Sequence, residues 1–362
     1  MPPRRASKSS SKPRRPGDTG AFAKSVVAWQ RRHGRHDLPW QNTRDAYRIW
    51  LSEIMLQQTQ VAAVIPYYER FLKRFPDLAA LAIADEDDVL ASWSGLGYYS
   101  RARNLHRAAR TIAEEHGGRF PREFEAVLAL PGIGRSTAAA VCVFAYGARH
   151  AILDGNVKRV FARCFGVAGY PGDAKVAEKL WQIADGMVPA KNVEAYTQGQ
   201  MDLGAGICTR TKPRCGDCPL ATMCVARRQN AIAKYPSPRP RKVLPQRRTR
   251  MLVMLHGGQV LLEKRPNSGI WGGLWSLPEL GAHEDIETVC TTRYGVTPAQ
   301  HRALPEVAHG FTHFLLDIVP VRVSVARVDA RVAAPGVVWL PLGDLPGAAL
   351  PAPVRRILAA LP

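Results

Sequence analysis

The sequence predicts a mainly α-helical N-terminal region joined to a smaller α+β C-terminal domain. Three observations carry that reading. Apolar residues recur at the helical period between about residues 20 and 225, with no alternating strand pattern of any length. A Pro- and Arg-rich stretch with little apolar content follows, over 226–249. Beyond it, short apolar runs flank glycine turns. The 362 residues suit two or three domains, and 46% hydrophobic content suffices for packed cores.

Taken in order, residues 1–19 read as a disordered basic tail, because they are rich in Ser, Pro, Arg and Lys and poor in apolar residues. Tyr47, Trp50, Leu51, Ile54 and Met55 follow the 3.6-residue period. Val61, Val64, Ile65, Tyr68, Leu72 and Phe75 repeat it, as do Ala102, Leu105, Ala109 and Ile112 up to the Gly117-Gly118 stop. Further helices fit 123–130, 135–146, 156–165, 174–186 and 192–205. Strands at 250–255 and 260–265 flank His256-Gly257-Gly258-Gln259, a hairpin signal. Residues 314–328 and 336–340 read as strands, and 284–294 and 352–360 as helices. The expected organisation is a tail (1–19), a helical region (20–225), a basic interdomain linker (226–249) and an α+β domain (250–362).

The formal charge is +20, and its distribution matters more than its sum. Residues 1–16 hold six Lys/Arg and residues 226–250 hold nine, neither with an acid, which accounts for fifteen of the twenty surplus charges. A basic chain favours a polyanion such as nucleic acid. No apolar run approaches the ~20 residues of a membrane span, and no secretory n- and h-region is visible.

Cys208, Cys215, Cys218 and Cys224 form the pattern C-x6-C-x2-C-x5-C. Two disulfides would suit a small secreted scaffold rather than a long chain with seven cysteines. Structural zinc usually shows paired short spacings, and only one gap here is two residues. A four-cysteine iron–sulfur cluster fits the spacing better, although spacing leaves zinc open.

Leu130-Pro131-Gly132-Ile133-Gly134 lies between two predicted helices. Gly132 and Gly134 permit a tight turn and close approach, and the next helix starts with free N–H groups suited to an anion. Asp154 heads Asp154-Gly155-Asn156-Val157-Lys158, where it reads either as an N-cap or as an ionised carboxylate beside a developing cation. Glu53 sits at the edge of an apolar stripe, three residues after Trp50. It is either a solvated acid or a proton donor whose pKa is raised by apolar neighbours. Two carboxyl groups in different environments suit cleavage of a glycosidic bond.

These residues resemble adenine DNA glycosylases of the MutY type, within the helix–hairpin–helix, iron–sulfur glycosylases. The resemblance rests on Leu38-Pro39-Trp40, the run from Ser52 to Val61, Gly95 to Tyr99, Leu130 to Thr137, Leu153 to Arg159 and the cysteine cluster. It is dense over 20–225 and looser over 250–360. It implies a monofunctional enzyme of base excision repair that removes adenine opposite 8-oxoguanine, and also opposite guanine, from double-stranded DNA after flipping it out of the stack. It further implies a monomer with a [4Fe-4S] cluster on the four cysteines and no membrane partner. The compartment would be the cytoplasm of a bacterium, or the nucleus or mitochondrion of a eukaryote.

Carried over residue by residue, Glu53 resembles the acid that protonates adenine N7, and Asp154 the carboxylate that stabilises the oxocarbenium-like sugar, with Asn156 supporting it. Ser136 stands where the endonuclease III type has a Schiff-base lysine, so no dedicated strand-cutting step is expected. Lys158 is near enough in sequence for an adventitious adduct. Gln58 and Tyr98 match wedge positions beside the opposite base. Trp40, Gln41 and Asp202 match the lining of the adenine pocket. Arg210, Lys212 and Arg214 would meet DNA phosphate from the cluster loop.

Residues 250–362 resemble a Nudix (MutT-like) fold. Gly273 and Glu279 match the opening of its G-x5-E signature. Glu287-Thr288 and Thr291-Thr292 stand where Arg-Glu and the metal-binding Glu-Glu are expected, so no pyrophosphohydrolase activity is expected. Phe311-Thr312-His313 resembles the Phe-Ser-His loop that reads 8-oxoguanine, Thr312 keeping the hydroxyl, whereas Leu315 departs from the usual polar residue. Two other classes compete: a bifunctional endonuclease III-like lyase for oxidised pyrimidines, opposed by Ser136 and the added domain, and a non-enzymatic DNA-binding scaffold, opposed by the retained Glu53 and Asp154.

Overall fold

A computed structural model of the chain describes residues 19–240, 243–281, 283–329 and 336–361. Helices fill the first part: α1 (Thr19–His33), α2 (Ala46–Leu56), α3 (Val61–Arg74), α4 (Leu78–Ala82), α5 (Glu86–Ser92), α6 (Ser100–Glu115), α7 (Phe124–Ala129) and α8 (Arg135–Tyr146). They continue with α9 (Gly155–Phe165), α10 (Ala174–Met187), α11 (Val193–Asp202), a π-helical turn (Leu203–Ile207) and α12 (Val225–Arg228). Strands follow: β1 (Gln246–His256), β2 (Gln259–Lys264), β3 (Trp275–Ser276) and β4 (Glu279–Leu280), then α13 (Ile286–Tyr294). The chain finishes with β5 (Val296–Ala303), β6 (Val307–Gly310), β7 (Leu315–Val328), β8 (Val337–Pro341) and α14 (Ala352–Ala359).

The chain divides into two compact units. The first comprises Met1–Glu53, Pro121–Ala129 and Ile133–Pro240, and the second Ile54–Phe120, Leu130–Gly132 and Arg241–Pro362. The helices from α3 to α6 therefore group with the C-terminal sheet, a division the sequence does not announce. Within the second unit the reason is visible. Asp87 of α5 pairs with Lys264 and accepts from Trp275 Nε1 at 3.2 Å. Tyr99 donates to the Leu350 carbonyl, and Arg355 donates to Ser94 Oγ.

In the first unit the core gathers around α9. Val157, Val160 and Phe161 are fully buried against Phe22, Val26, Tyr196 and Leu203. Their spacing places them on one face of the helix, as burial of an amphipathic helix requires. In the second unit the sheet runs β3-β2-β1-β7-β5, with β4 on β1, β6 on β7 and β8 on β2. Among the described residues only the central β1–β7 pairing is parallel. The β1–β2 hairpin turns at Gly257 and Gly258, whose φ values of 54° and 75° suit the primed turn that matches strand twist.

Two expectations need correction. The stretch 226–249 is not simply a linker. It contains most of α12 and a 3-10 turn, Ile232–Lys234, and β1 begins inside it at Gln246. The early part of β1 is exposed and polar, so it lacks the apolar alternation of a strand, yet its backbone pairs with β7 from Leu315 onward. The C-terminal reading also omits β5, an edge strand exposed along most of its length and bulged about Pro298. The basic tail assigned to 1–19 lies outside the described residues, apart from Thr19 at the start of α1.

Candidate active site

Asp154 is the N-cap of α9. Its backbone is extended, and its Oδ1 accepts from the Val157 N–H at 2.7 Å. The buried run Ala151-Ile152-Leu153 leads into it. Ser136, in the first turn of α8, accepts the Leu153 N–H on its Oγ at 2.8 Å and so fixes the backbone just before Asp154. The capping role and the chemical role are compatible, because the cap sets the direction in which the carboxylate points.

Glu53 lies on α2 among Trp50, Ile49 and Ile54, all buried. It keeps some accessible surface but is enclosed by protein, and among the described residues no hydrogen-bond donor reaches it. Burial, and secondarily the charge of Asp154, push its pKa up to about 7. Asp154 is also raised by burial. The N–H groups of Val157 and Asn156, together with Arg159 and Lys158, oppose that rise. The two carboxyl groups thus feel one another but differ in what surrounds them.

Two arginines on α9 connect this site to the cysteine segment. Arg159 donates to Asn156 Oδ1 (2.8 Å), the Gly204 carbonyl (2.6 Å) and the Cys208 carbonyl (2.7 Å). One turn later Arg163 reaches the carbonyls of Tyr235, Thr209 and Arg210, and its Nη1 lies 3.3 Å from Cys208 Sγ. Gly204, on the π-helical turn, is required here, since a Cβ would come within 2.5 Å of the Asn156 Cβ. Cys208, Cys215, Cys218 and Cys224 line one small cavity of about 20 Å³ and are free thiols. Among the described residues no three such donors are placed to hold a single metal ion. Arg214 donates to the Gly206 carbonyl, which ties part of the basic loop back to this segment.

Asp202 is buried, and its carboxylate is occupied. The Arg35 N–H, the Arg35 guanidinium and the Gln198 amide all donate to it, at 2.7–3.0 Å. Gln41 donates to the Arg35 carbonyl and accepts from the Leu38 N–H, so its amide closes the loop that presents the buried Trp40. Arg35 therefore joins two of the three residues matched to a base pocket.

In the second unit, Gln58 and Tyr98 occupy positive φ (58° and 49°), a region costly for side chains of this type. Tyr98 is 45% exposed. Both loops are fastened by the buried Arg101. Its Nη1 donates to the carbonyls of Ile54, Met55 and Gln57, and its Nη2 to Thr59 Oγ1 and the carbonyls of Leu96 and Gly97. Burial pulls its pKa down to about 10, which leaves it charged at neutral pH. Gly132, at φ 76°, sits so close to α6 that a Cβ would meet the Asn104 Cβ at 2.6 Å. Gly134 is the N-cap of α8 and supplies no side-chain cap.

Thr312 and His313 are exposed at the turn between β6 and β7, with Thr312 Oγ1 3.4 Å from His313 Nδ1. The Phe311 N–H donates to the Phe314 carbonyl, and the two rings stack at 4.5 Å, which sets the turn. The sequence carries no signal for Arg35, Arg101, Arg159 or Arg163 as organising residues, beyond the helical spacing that puts Arg159 and Arg163 on one side of α9.

Residues 51–185 match the model of the HhH-GPD superfamily of base excision DNA repair proteins, and residues 250–360 match the NUDIX domain. The chain is 36% identical over 339 residues to adenine DNA glycosylase of Buchnera aphidicola subsp. Acyrthosiphon pisum, covering 93% of this chain and 96% of that protein. It is 32% identical to the mouse adenine DNA glycosylase, covering 94% and 78%. Among solved structures, a thermostable thymine-DNA glycosylase aligns with 59% of this chain and 97% of its own, at TM-score 0.53 and 29% identity. An endonuclease III–DNA complex aligns with 60% and 98%, at TM-score 0.51 and 19% identity, and shares the fold.

Replacing Arg101 with Met leaves several loop carbonyls without a donor. It should cost about 3 kcal/mol or more and speed amide hydrogen exchange at Thr59 and Leu96 while leaving α9 protected. Unchanged exchange at both loops would detach Arg101 from their geometry.

Proposed function

The chain belongs to the adenine DNA glycosylase family of DNA repair enzymes, and on that premise we propose that it removes adenine opposite 8-oxoguanine, and opposite guanine, from double-stranded DNA by acid-assisted hydrolysis. The observation that carries this reading is the pair Glu53 and Asp154, the first enclosed without a donor, the second capped and flanked by cations. With a pKa of about 7, Glu53 is protonated in about half of the molecules at neutral pH, and this form delivers its proton to N7 of the flipped adenine. The protonated base leaves with the electrons of the C1′–N9 bond. Asp154, whose charged form is disfavoured by burial but favoured by the Val157 N–H and by Arg159 and Lys158, faces the positive charge that develops on the sugar. Water completes the sugar product.

Gln58 and Tyr98, exposed at strained loop tips, fill the space vacated by the flipped nucleotide, and the Arg101 clamp holds them there. Ser136 offers no amine, and its hydroxyl is committed to the Leu153 N–H, so the endonuclease III-like lyase reading is not favoured. Thr312 Oγ1 accepts from N7–H of 8-oxoguanine, with His313 beside it. The chain acts as a monomer. Among the described residues no helix is long and apolar enough to cross a membrane.

The four cysteines suit an iron–sulfur cluster. They line one common cavity, and Arg163 provides a donor to the Cys208 sulfur. When bound, the cluster supplies a cross-link rather than electrons, since hydrolysis of an N-glycoside transfers none. It would hold the loop of Arg210, Lys212 and Arg214 toward phosphate.

Glu53→Gln should bind duplex containing A opposite 8-oxoguanine but release no adenine. In the parent, the single-turnover rate should fall as pH rises through about 7, where Glu53 loses its proton, with an acid limb set by Asp154 above the ordinary carboxylate range. The stability sign follows from the same shift. The folded Glu53 retains a proton that the unfolded chain loses from about 4.5, so its contribution is full below 4.5 and lost as pH passes 7. Glu53→Gln should therefore melt at a higher temperature than the parent at pH 8, with the gap closing toward pH 4. A flat rate profile between pH 6 and 9 would remove Glu53 as the acid. Thr312→Ala with His313→Ala should reduce the preference for 8-oxoguanine over guanine about tenfold, measured as the ratio of excision rates. An equal ratio in parent and variant takes the loop out of recognition. The purified protein should be brown and carry about four iron atoms per chain. A colourless protein holding zinc would assign the thiolates to a different centre.

A further inference from the structure

Under the proposed function, two exposed loops of the second unit must meet one base pair. Tyr98 enters the space left by the flipped adenosine, and Thr312 with His313 reads the base opposite. The loops are far apart in sequence, and each is ordered only locally by its own turn. Their spacing depends on what joins their bases, and recognition tolerates little error in it.

Helix α14 is bonded to both. Pro353, Val354, Ile357 and Leu358 form its buried face. At 3.6 residues per turn, Arg355 and Arg356 leave on opposite flanks of that face. Arg356 Nη2 donates to the Ala308 carbonyl at 3.1 Å, on the strand β6 that runs into Phe311. Arg355 goes the other way. Its Nη1 meets the Leu345 carbonyl at 3.3 Å and its Nη2 the Ala348 carbonyl at 2.9 Å, and from that brace Nη2 also donates to Ser94 Oγ at 2.9 Å. Just before the helix, the Leu350 carbonyl accepts the Tyr99 hydroxyl at 3.3 Å, and that hydroxyl takes the Gly95 N–H at 3.4 Å. The loop that displays Tyr98 is therefore fastened to the α14 segment on both sides of its tip, at Ser94 and at Tyr99.

A second tie runs the same way. Trp271 is buried at φ 54°, an uncommon conformation for a bulky residue. Its ring centre lies 5.6 Å from that of Phe311 and 5.9 Å from that of His309. The next carbonyl, of Gly272, accepts from Arg103 of α6, the helix that begins directly after Tyr99. Strain of this kind persists only where the surroundings over-determine it. Here it turns the indole onto the base of the reading loop while the following carbonyl meets α6.

We propose that α14 is a strut that sets the spacing of the two loops, and that Arg355 and Arg356 are positioning residues for the choice between 8-oxoguanine and guanine. They act through the loops. The contact to N7–H of 8-oxoguanine forms only when both loops engage the same pair, so a loosened strut forfeits that contact first. The acid chemistry is spared, because Glu53 and Asp154 belong to the other unit.

The proposal rests on the glycosylase reading and on the assigned role of Thr312 and His313. It is tested by single-turnover excision of adenine opposite 8-oxoguanine and opposite guanine, in the full-length protein. Ser94→Ala with Tyr99→Phe cuts one end of the strut, and Arg356→Met cuts the other, so a folding defect in one leaves the other to decide. Each should lower the 8-oxoguanine preference at least about fivefold, the scale of coupling within one network, with the rate opposite guanine held within about twofold. In a Thr312→Ala, His313→Ala background the same cuts should change the preference no further, which a merely structural defect would not reproduce. Unchanged preference at both ends overturns the strut, as do equal losses on the two duplexes or a full further loss in that background. A parent with no preference, or one whose preference survives Thr312→Ala with His313→Ala, overturns the reading of the loop and the strut with it.

Discussion

Helix α9 carries the constraint on which the first unit depends. Asp154 caps it, and Asn156, Arg159 and Arg163 follow at one-turn spacing. The two guanidinium groups satisfy carbonyls of the segment from Gly204 to Arg210, a stretch that turns too irregularly to satisfy them by itself. Charge-assisted bonds of this kind are roughly twice as strong as neutral ones. The direction of the Asp154 carboxylate and the shape of the cysteine-lined cavity are therefore set by one rigid element. A displacement of either end is felt at the other, with no electron transfer needed to link them.

The same unit shows how one functional group is given two behaviours. Glu53 and Asp154 are both removed from bulk water, and burial alone would favour the neutral form of each. Their neighbours then separate them. Asp154 has backbone N–H groups and two cations, whereas Glu53 has apolar and aromatic neighbours and the repulsion of Asp154. When two coupled acids compete for protons, the one with fewer donors keeps the proton first.

Much of this was legible in the sequence. The helical period gave α8, α9 and α10 to within about one residue and ran α11 three residues into the π-helical turn that follows it, and Gly257-Gly258 marked the hairpin. The cap position of Asp154 and the apolar surroundings of Glu53 were both readable from their neighbours in sequence. What stayed hidden was long range. Arg101 and the carbonyls of Ile54 to Gln57 lie more than forty residues apart, and an arginine that donates to backbone oxygens leaves no complementary side chain in the sequence to betray it. The grouping of α3–α6 with the sheet rests on a few contacts such as Asp87 with Lys264, which likewise have no local pattern. Strand β5 was missed because an exposed, bulged edge has no reason to alternate.

Gln58 and Tyr98 show why that hidden arginine matters. Each non-glycine residue held at positive φ costs about 1–3 kcal/mol, and nothing in the local sequence offsets this for two such residues. Arg101 offsets it from a distance. It bonds to carbonyls just before Gln58 and just before Tyr98, bonds to the Thr59 hydroxyl just after Gln58, and lies 5.5 Å from the Tyr98 ring centre. Its burial is tolerated because its two terminal nitrogens meet six acceptors, although Nε is buried without a partner among the described residues, and the strain persists because those acceptors sit at the two loops. Glycines at these tips would relieve the strain but would remove the amide and the aromatic ring that the tips present. The strain is thus tied to the side chains displayed, and the clamp is what allows an amide and a phenol to stand where the backbone alone would choose glycine.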